Sequence, residues 1–180
     1  MRRHALTAAA FALTCQGAIA NAAAPCATTT EATAITAVAM PAIIRQVGQI
    51  CATRLSPSAL LLQPEGGFVA KYEAEADRAW PAARAALARI GGPDVAPLLQ
   101  SDFTRPVLTS LLAPALIGTV DPGDCDKIEH IAEQVAPLPA RNTAELIVST
   151  LQLVREKQAE FGTAGDKRTL DIPICRDDRR

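Results

Sequence analysis

Residues 28–51 read TTTEATAITAVAMPAIIRQVGQIC and predict the first helix of the chain. Thr28 and Glu31 have the spacing of a capping box, in which a hydroxyl and a carboxylate satisfy free amides of the first helical turn. Because proline lacks the amide proton and clashes with the preceding turn, we expect Pro41 to bend a helix that runs from about residue 29 to 54. The apolar positions recur at three- and four-residue spacing and comprise Ile35, Val38, Ala39, Ala42, Ile43, Val47, Ile50 and Cys51.

Glycines and prolines divide the following residues into further helices, and no stretch shows the sustained alternation typical of a strand. We expect the last helix to be capped by Asn142 and Glu145 and to end at Gly162. Its inward-facing residues are expected to be Ile147, Leu151, Val154 and Phe161. The other expected segments are a short turn from Ser56 to Leu62, a helix from Phe68 to Ile90 with a kink at Trp80 and Pro81, a short helix from Pro93 to Gln100, a helix from Thr104 toward Gly118 and a helix from Asp121 to Pro137. We therefore predict an all-α fold, a single compact bundle of five or six proline-interrupted helices over residues 23–180.

The N-terminal 22 residues have the pattern of a secretory signal peptide. A basic start is followed by an apolar segment shorter than the roughly 20 residues needed to span a bilayer, and Ala20 to Ala22 form an Ala-x-Ala cleavage pattern. A lipoprotein signal at Cys15 is disfavoured because Thr14 precedes the cysteine, where such signals carry glycine or alanine. We therefore expect cleavage after Ala22, no transmembrane segment in the mature chain, and a location in the periplasm or outside the cell.

Composition argues against nucleic-acid binding. Removal of Arg2 and Arg3 with the signal leaves 16 of the 18 basic residues against 19 acidic residues, a formal charge of −3. No basic stripe is present to neutralise phosphates, and aromatic residues for base stacking make up only 3% of the chain. The sequence also lacks the motifs of phosphate-binding loops, calcium-binding EF-hands and covalently attached haem, so we predict no cofactor.

Four cysteines remain after the expected cleavage: Cys26, Cys51, Cys125 and Cys175. An even number in an exported chain favours two disulfides over a zinc site, since the spacings contain no C-x-x-C and only one histidine remains. A helix over residues 29–51 would hold its ends on the order of 30 Å apart, whereas the Cα atoms of a disulfide lie within about 7 Å. Pairing of Cys26 with Cys51 is therefore disfavoured. The two remaining connectivities are Cys26–Cys175 with Cys51–Cys125, which we favour, and Cys26–Cys125 with Cys51–Cys175. Two such bonds would cross-link the helices of the bundle, which is therefore stapled by disulfides.

His130 is the candidate for acid–base chemistry, because it is the only histidine left after cleavage. On a helix, Asp126 and Glu133 would lie one turn to either side of it and could orient the ring. Any charged amphipathic helix produces the same spacing, so we favour a solvated helical face. The sequence contains no Gly-x-Ser-x-Gly motif that would supply a nucleophile.

The densest acidic cluster comprises Glu73, Glu75 and Asp77. Glu73 and Asp77 would lie one turn apart, where they could share a metal ion or act as paired carboxylates. Lys71 and Arg78 interleave with the acids, which is typical of a surface held by salt bridges. We favour the salt-bridged surface.

Trp80, the only tryptophan, is the candidate for a ligand or partner contact, together with Tyr72 and Arg84 on the same helix. Pro81 leaves the carbonyl of Asp77 without its helical partner, and Arg84, one turn further on, could stack on the indole. The alternative, which we favour, is that Trp80 anchors the core of a protein poor in large side chains.

Three functions remain open. The first is a non-catalytic interaction or structural protein of the cell envelope, whose partner is an unknown envelope protein; we favour it because catalytic groups are scarce. The second is a periplasmic carrier of an apolar ligand, which a continuous cavity of more than roughly a few hundred Å³ would support. The third is an enzyme that uses His130 or the pair Glu73 and Asp77.

Overall fold

The computed structural model describes residues 25–63, 66–101, 103–117, 120–161 and 174–175. The expected signal peptide and Gly162 lie outside these ranges. Within the described residues the fold is all-α, as predicted, and the only bridge between extended segments joins Ala27 to Ile174. The helices are α1 (Thr29–Cys51), α2 (Gly67–Gly91), α3 (Thr104–Ile117), α4 (Cys125–Val135) and α5 (Ala140–Phe161), with short 3-10 turns at Leu60–Leu62, Leu98–Gln100 and Pro122–Asp124.

The capping box at the start of α1 is confirmed. The Glu31 amide donates to the Thr28 hydroxyl at 3.2 Å, and the Thr28 amide donates to the Glu31 carboxylate at 2.8 Å. Arg89 on α2 also donates to this carboxylate and to the carbonyl of Cys26, at 2.9 Å for the latter. The Arg89 guanidinium, and after it the Thr28 amide, hold the pKa of Glu31 below its ordinary value. The helix runs through Pro41 and ends at Cys51, three residues before the expected end.

The glycine pairs bound α2 as expected. Gly66 is the N-terminal cap, and Gly92 ends the helix with a φ of 76°, a left-handed conformation that side chains other than glycine rarely adopt. The helix continues through Pro81. It is therefore a single α-helix of 25 residues, whose buried residues lie on both sides of Pro81.

The bundle is built around α1, which packs most extensively against α2 and also against α3 and α5. Among the described residues, α1 is the one helix long and apolar enough to cross a bilayer by length and composition, yet 61% of its most apolar window is buried inside the protein. Packing against three helices accounts for the apolar composition of α1.

The largest cluster of buried side chains, which we call the Tyr72 core, surrounds the C-terminal half of α1. Tyr72 is 1% exposed, and its hydroxyl donates to Thr143 at 3.3 Å. Gly48 allows the close approach on which this core depends, because a Cβ atom there would lie 2.2 Å from the carbonyl oxygen of Leu61. The buried members are Met40, Ile44, Val47, Cys51, Leu61, Val69, Tyr72, Cys125, Ala132 and Ala140.

A second cluster, which we call the alanine core, joins the N-terminal half of α1 to the C-terminal half of α2. Its buried members are Ala34, Ile35, Val38, Ala83 and Ala86, and the partly buried Ala79, Trp80 and Leu87 pack against them. Small side chains let the two helices approach each other, but they cover little of the adjacent surface. The large indole of Trp80 consequently lies half-buried at the edge of this cluster.

Two cysteine pairs lie at disulfide distance. Cys51 and Cys125 are 0% and 1% exposed, with Cα atoms 5.6 Å apart. Cys26 and Cys175 are half-buried, with Cα atoms 5.0 Å apart, and the Cys175 amide donates to the carbonyl of Ala27 at 2.8 Å. These pairs form the first of the two connectivities that helix geometry leaves open.

The predicted start of the last helix is wrong. The Thr143 amide donates to the carbonyl of Pro139 at 3.2 Å, which closes the first turn before Asn142 can cap it, and α5 begins at Ala140. The predicted inward stripe is also displaced by about one position, because Ala144 and Val148 are buried. Ile147 is half-buried, Leu151 and Val154 are each 45% exposed, and the side chain of Phe161 lies outside the described part of the chain.

The expected short helix over residues 93–100 is reduced to the 3-10 turn Leu98–Gln100 preceded by turns. The segment opened by Ser56 likewise forms a 3-10 turn only at Leu60–Leu62. The Glu129 carboxylate holds that turn by accepting the amides of Leu60 and Leu61, at 2.6 and 3.2 Å. A distant side chain thus supplies the cap that local sequence does not.

Candidate functional site

A groove of about 660 Å³ lies where α1, α2 and α3 meet, and we call it the Trp80 groove. Its residues come from all three helices and from the segment that leads into α3. They are Val38, Pro41, Ala42, Arg45, Glu73, Asp77, Trp80, Arg84, Gln100, Ser101, Arg105, Pro106 and Thr109. The groove is open to solvent along one side, and its volume falls within the range of about 300 to 1,000 Å³ that is typical of small-molecule sites.

Helical periodicity explains how one wall of the groove is formed. On α2 the lining residues follow one another at intervals of four, three and four positions, which is the spacing of a single helix face. These residues are Glu73, Asp77, Trp80 and Arg84. The acidic pair singled out by the sequence and the predicted contact residues Trp80 and Arg84 therefore share one wall.

The opposite walls contribute two arginines that pair with the acids. Arg45 on α1 forms an ion pair with Glu73, and Arg105 on α3 forms one with Asp77 at 2.5 Å. Among the described residues, Arg84 makes no hydrogen bond or ion pair, although it lies exposed on the same surface. Three guanidinium groups against two carboxylates leave the groove with one excess positive charge in a chain whose formal net charge is −1.

The acidic cluster is engaged in ion pairs. Its third member, Glu75, is 9% exposed and accepts from Arg78 on the next turn of α2 at 2.6 Å. Within the described ranges, no three His, Cys, Asp or Glu side chains are placed so that they could hold a metal ion. The geometry therefore matches the salt-bridged surface that we favour from the sequence. Of the two cations that interleave with the acids in the sequence, Arg78 pairs with one of them, whereas Lys71 donates to backbone carbonyls.

Tyr72 does not line the groove, since it is enclosed in the Tyr72 core. The cation over its ring is Lys71, whose Nζ lies 4.9 Å from the ring centre and donates to the carbonyls of Ala136 and Leu138 at 2.6 and 2.8 Å. Burial lowers the pKa of Lys71. Tyr72 is therefore a structural residue, which removes it from the predicted contact set.

Trp80 and Arg84 do not form the stacked pair suggested by their spacing, since the cation–π contacts among the described residues involve Lys71 alone. Trp80 packs on the alanine core with one part of its ring and lines the groove with another. The core and contact interpretations of this tryptophan are thus compatible. Arg84 keeps its five donors available to a ligand.

His130 lies in a second, separate cleft of about 540 Å³ between the segment around Leu55–Leu60 and α4. Its side chain is 70% exposed, and its Nδ1 atom lies 3.6 Å from the Glu133 carboxylate. Glu129, which also lines this cleft, is occupied by the backbone amides of Leu60 and Leu61. His130 thus has a neighbouring carboxylate but lies on a solvated helix face.

Arg45 and Arg105 are the groove residues that sequence reasoning missed. Arg45 does leave a signal, because it and Glu31 are the only charged residues of α1. A lone arginine within an apolar helix either reaches solvent or meets an acid from another element. Arg105 offers no comparable signal, because it stands in the first turn of a helix next to Pro106.

No family model, curated protein or solved structure matches the chain. Function is therefore argued from the chemistry of the two open sites. Of these, the Trp80 groove combines a tryptophan with an unpaired arginine, two residue types that are enriched among interface hot spots.

Proposed function

We propose that this protein is an exported, non-catalytic binding protein of the cell envelope and that its ligand or partner engages the Trp80 groove. The observation that carries the proposal is the position of the unpaired Arg84 guanidinium one turn from the single tryptophan, in a groove walled by three helices. Both side chains are accessible without rearrangement of the core. A groove that is already formed before the ligand binds keeps the entropic cost of binding low.

Export to the periplasm or beyond is the second part of the proposal. Its support is the signal-peptide pattern of residues 1–22 and the two cysteine pairs at disulfide distance, which are compatible with an oxidising compartment. Because α1 is enclosed by other helices, the mature protein is proposed to act from solution rather than as an integral membrane protein.

The shape and charge of the groove distinguish the binding hypotheses. A carrier of a wholly apolar ligand would enclose it in a cavity lined by hydrocarbon, whereas this groove is open and carries five charged side chains. A ligand with a polar or charged end suits the groove better. The enzyme hypothesis gains less support, since Glu73 and Asp77 are paired with arginines and His130 lies in a different cleft.

The proposal is tested by capture from the envelope. The full-length precursor would be expressed, purified from the periplasm in its oxidised form, and examined by mass spectrometry for proteins and small molecules bound to it. Trp80→Ala should deplete the bound material at least about tenfold, because aromatic anchors commonly contribute 2 kcal/mol or more. His130→Ala is the control and should retain it. Equal recovery with wild type and Trp80→Ala would contradict the proposal.

A further inference from the structure

We infer that the Trp80 groove binds a hydrocarbon monocarboxylate, with the carboxylate on Arg84 and the hydrocarbon chain along Trp80 and the apolar floor. This names the ligand class of the groove proposed above and so rests on that proposal. Three features of the groove argue for this ligand class: its net charge, the apolar side chains that lie between the charged ones and form its floor, and the helical structure of its walls.

The charge selects a monoanion. Arg84 is the one guanidinium of the groove that no described carboxylate neutralises, because Arg45 and Arg105 are paired with Glu73 and Asp77. A guanidinium presents two parallel N–H groups that match a carboxylate. A second negative charge on the ligand would find no further unpaired cation among the described groove residues, so it would lose hydration without gaining an ion pair. One negative charge therefore balances the groove and two exceed it.

The floor selects a hydrocarbon body. Between the charged residues lie Val38, Pro41, Ala42, Trp80 and Pro106. Val38 and Pro41 are buried, so the apolar surface open to a ligand belongs to Ala42, Trp80 and Pro106. A hydrocarbon chain laid on them removes apolar surface from water, at about 25 cal/mol per Å². The indole of Trp80, half-buried beside the small side chains of the alanine core, adds an aromatic surface for such a chain.

The helical walls disfavour a peptide ligand. Residues 29–51, 67–91 and 104–117 are helical, so most of their backbone amides and carbonyls are already paired within each helix. Nothing in the groove resembles a strand edge that would pair the amides of an extended peptide. An extended peptide would leave its backbone groups unsatisfied against the floor, whereas a hydrocarbon chain has none to satisfy.

Trp80 reports directly on its own site, because it is the only tryptophan of the chain. The mature, oxidised protein would be titrated at pH 8 with octanoate, 1-octanol and octyl phosphate, which share one tail and differ in head-group charge. We expect octanoate to change the tryptophan emission in a saturable way. The dissociation constants of octanol and octyl phosphate should both be about tenfold or more higher, because octanol loses the charge-assisted hydrogen bond and octyl phosphate must desolvate a second charge that gains no partner.

Arg84→Gln should raise the dissociation constant of octanoate about tenfold and leave that of octanol unchanged. Arg141→Gln is the control, because Arg141 is an exposed arginine outside the groove whose ion-pair partner, Glu145, is also exposed. It should bind octanoate as wild type does. Circular dichroism would verify that both exposed substitutions leave the fold intact.

The outcomes separate the ligand class from the proposed function. Octanol or octyl phosphate binding as tightly as octanoate, or an unchanged octanoate affinity in Arg84→Gln, would overturn the monocarboxylate assignment but leave a binding groove at Trp80. The absence of any emission change with all three probes would also overturn the assignment. The proposed function itself fails only if Trp80→Ala additionally captures the same envelope material as wild type.

Discussion

Tyr72 and Trp80 stand eight positions apart on one helix and have opposite environments. Tyr72 is surrounded by large aliphatic side chains and a buried cysteine pair, while Trp80 rests on alanines at the edge of an open groove. Where the residues facing an aromatic ring are large, they enclose it; where they are small, part of the ring stays accessible. We therefore expect the larger contribution to stability at one end of the α1–α2 interface, and the proposed binding site lies at the other. Because the chain has one tyrosine and one tryptophan, each region carries its own spectroscopic reporter.

The largest expected effect is the loss of stability when Tyr72 is truncated. Tyr72→Ala should lower the free energy of unfolding by about 3 to 5 kcal/mol, because it leaves a cavity in the Tyr72 core. Trp80→Ala should cost less, about 2 kcal/mol, since part of the indole is exposed and its removal widens an open groove rather than leaving a closed cavity. Guanidinium unfolding of the oxidised proteins measures both values. A cost for Trp80→Ala equal to that for Tyr72→Ala would make Trp80 a core residue and remove the contrast between the regions.

The two cysteine pairs should also differ in their contribution to stability, with the larger contribution from the pair in the Tyr72 core. Replacing Cys51 and Cys125 by alanine should lower the free energy of unfolding by about 2 to 5 kcal/mol. The pair Cys26 and Cys175 closes a loop of 149 residues rather than 74, which by chain entropy is worth only about 0.6 kcal/mol more per doubling. Loss of the fully buried sulfurs should cost about 1 kcal/mol each in packing and outweigh that difference.

Thermal unfolding of the two double variants, with wild type as reference, ranks the pairs. The opposite order, with Cys26→Ala/Cys175→Ala the less stable protein, would show that loop closure rather than core packing dominates. Peptide mapping without reduction checks the connectivity in the same samples. A Cys26–Cys51 link would be incompatible with an unbroken α1.

A smaller effect is expected at alkaline pH. Burial raises the pKa of the Tyr72 hydroxyl, against a weaker opposing effect of the Thr143 hydroxyl. Because the folded pKa lies above the unfolded value of about 10, the stabilisation from neutral Tyr72 is present below pH 10 and is lost as the pH rises through the folded pKa. Absorbance at 295 nm should show Tyr72 ionising at higher pH in the folded protein than in guanidinium.

Tyr72→Phe is the control for this titration. It should remove the tyrosine contribution to alkaline destabilisation, so that its stability falls less between pH 10 and 12 than that of wild type. Ionisation of Tyr72 at the same pH in the folded and unfolded protein would mean that the ring is accessible to water.

The smallest expected effect is that of His130→Ala. An exposed side chain with one neighbouring carboxylate contributes little to stability, so the free energy of unfolding should change by no more than about 0.5 kcal/mol. Capture of envelope material should also be unchanged. A folded His130→Ala variant that loses the biological role while Trp80→Ala keeps it would identify a catalyst centred on the second cleft.

Sequence patterns within one helical turn predicted most helix boundaries well. They were not enough where a residue far away in the sequence determines the local structure. The Thr28 and Glu31 capping box and the glycines at 91 and 92 act within one helical turn, so sequence was enough to place those boundaries. The turn at Leu60–Leu62, by contrast, is held by the carboxylate of Glu129, which is distant in the sequence. Asn142 failed for a local reason, because the carbonyl of Pro139 closes the turn before it.

The groove shows the same division. Spacing on α2 was enough to place Trp80 and Arg84 together, and to show that Glu73 and Asp77 lie one turn apart. The partners of these acids, Arg45 and Arg105, come from helices 28 positions away in either direction along the chain. No local pattern predicts which helices will be neighbours, so the excess charge of the groove emerges only from the packed bundle.

The most direct test of the groove is an NMR titration of the nitrogen-15-labelled mature protein with octanoate. The side-chain indole N–H of Trp80 gives a unique resonance, and we expect it to shift together with the Nε–H resonance of Arg84 along one saturation curve. The backbone amide of Tyr72 should remain in place. Shifts confined to the cleft around His130, or spread through the Tyr72 core while the Trp80 indole stays unmoved, would contradict the assignment of the binding site.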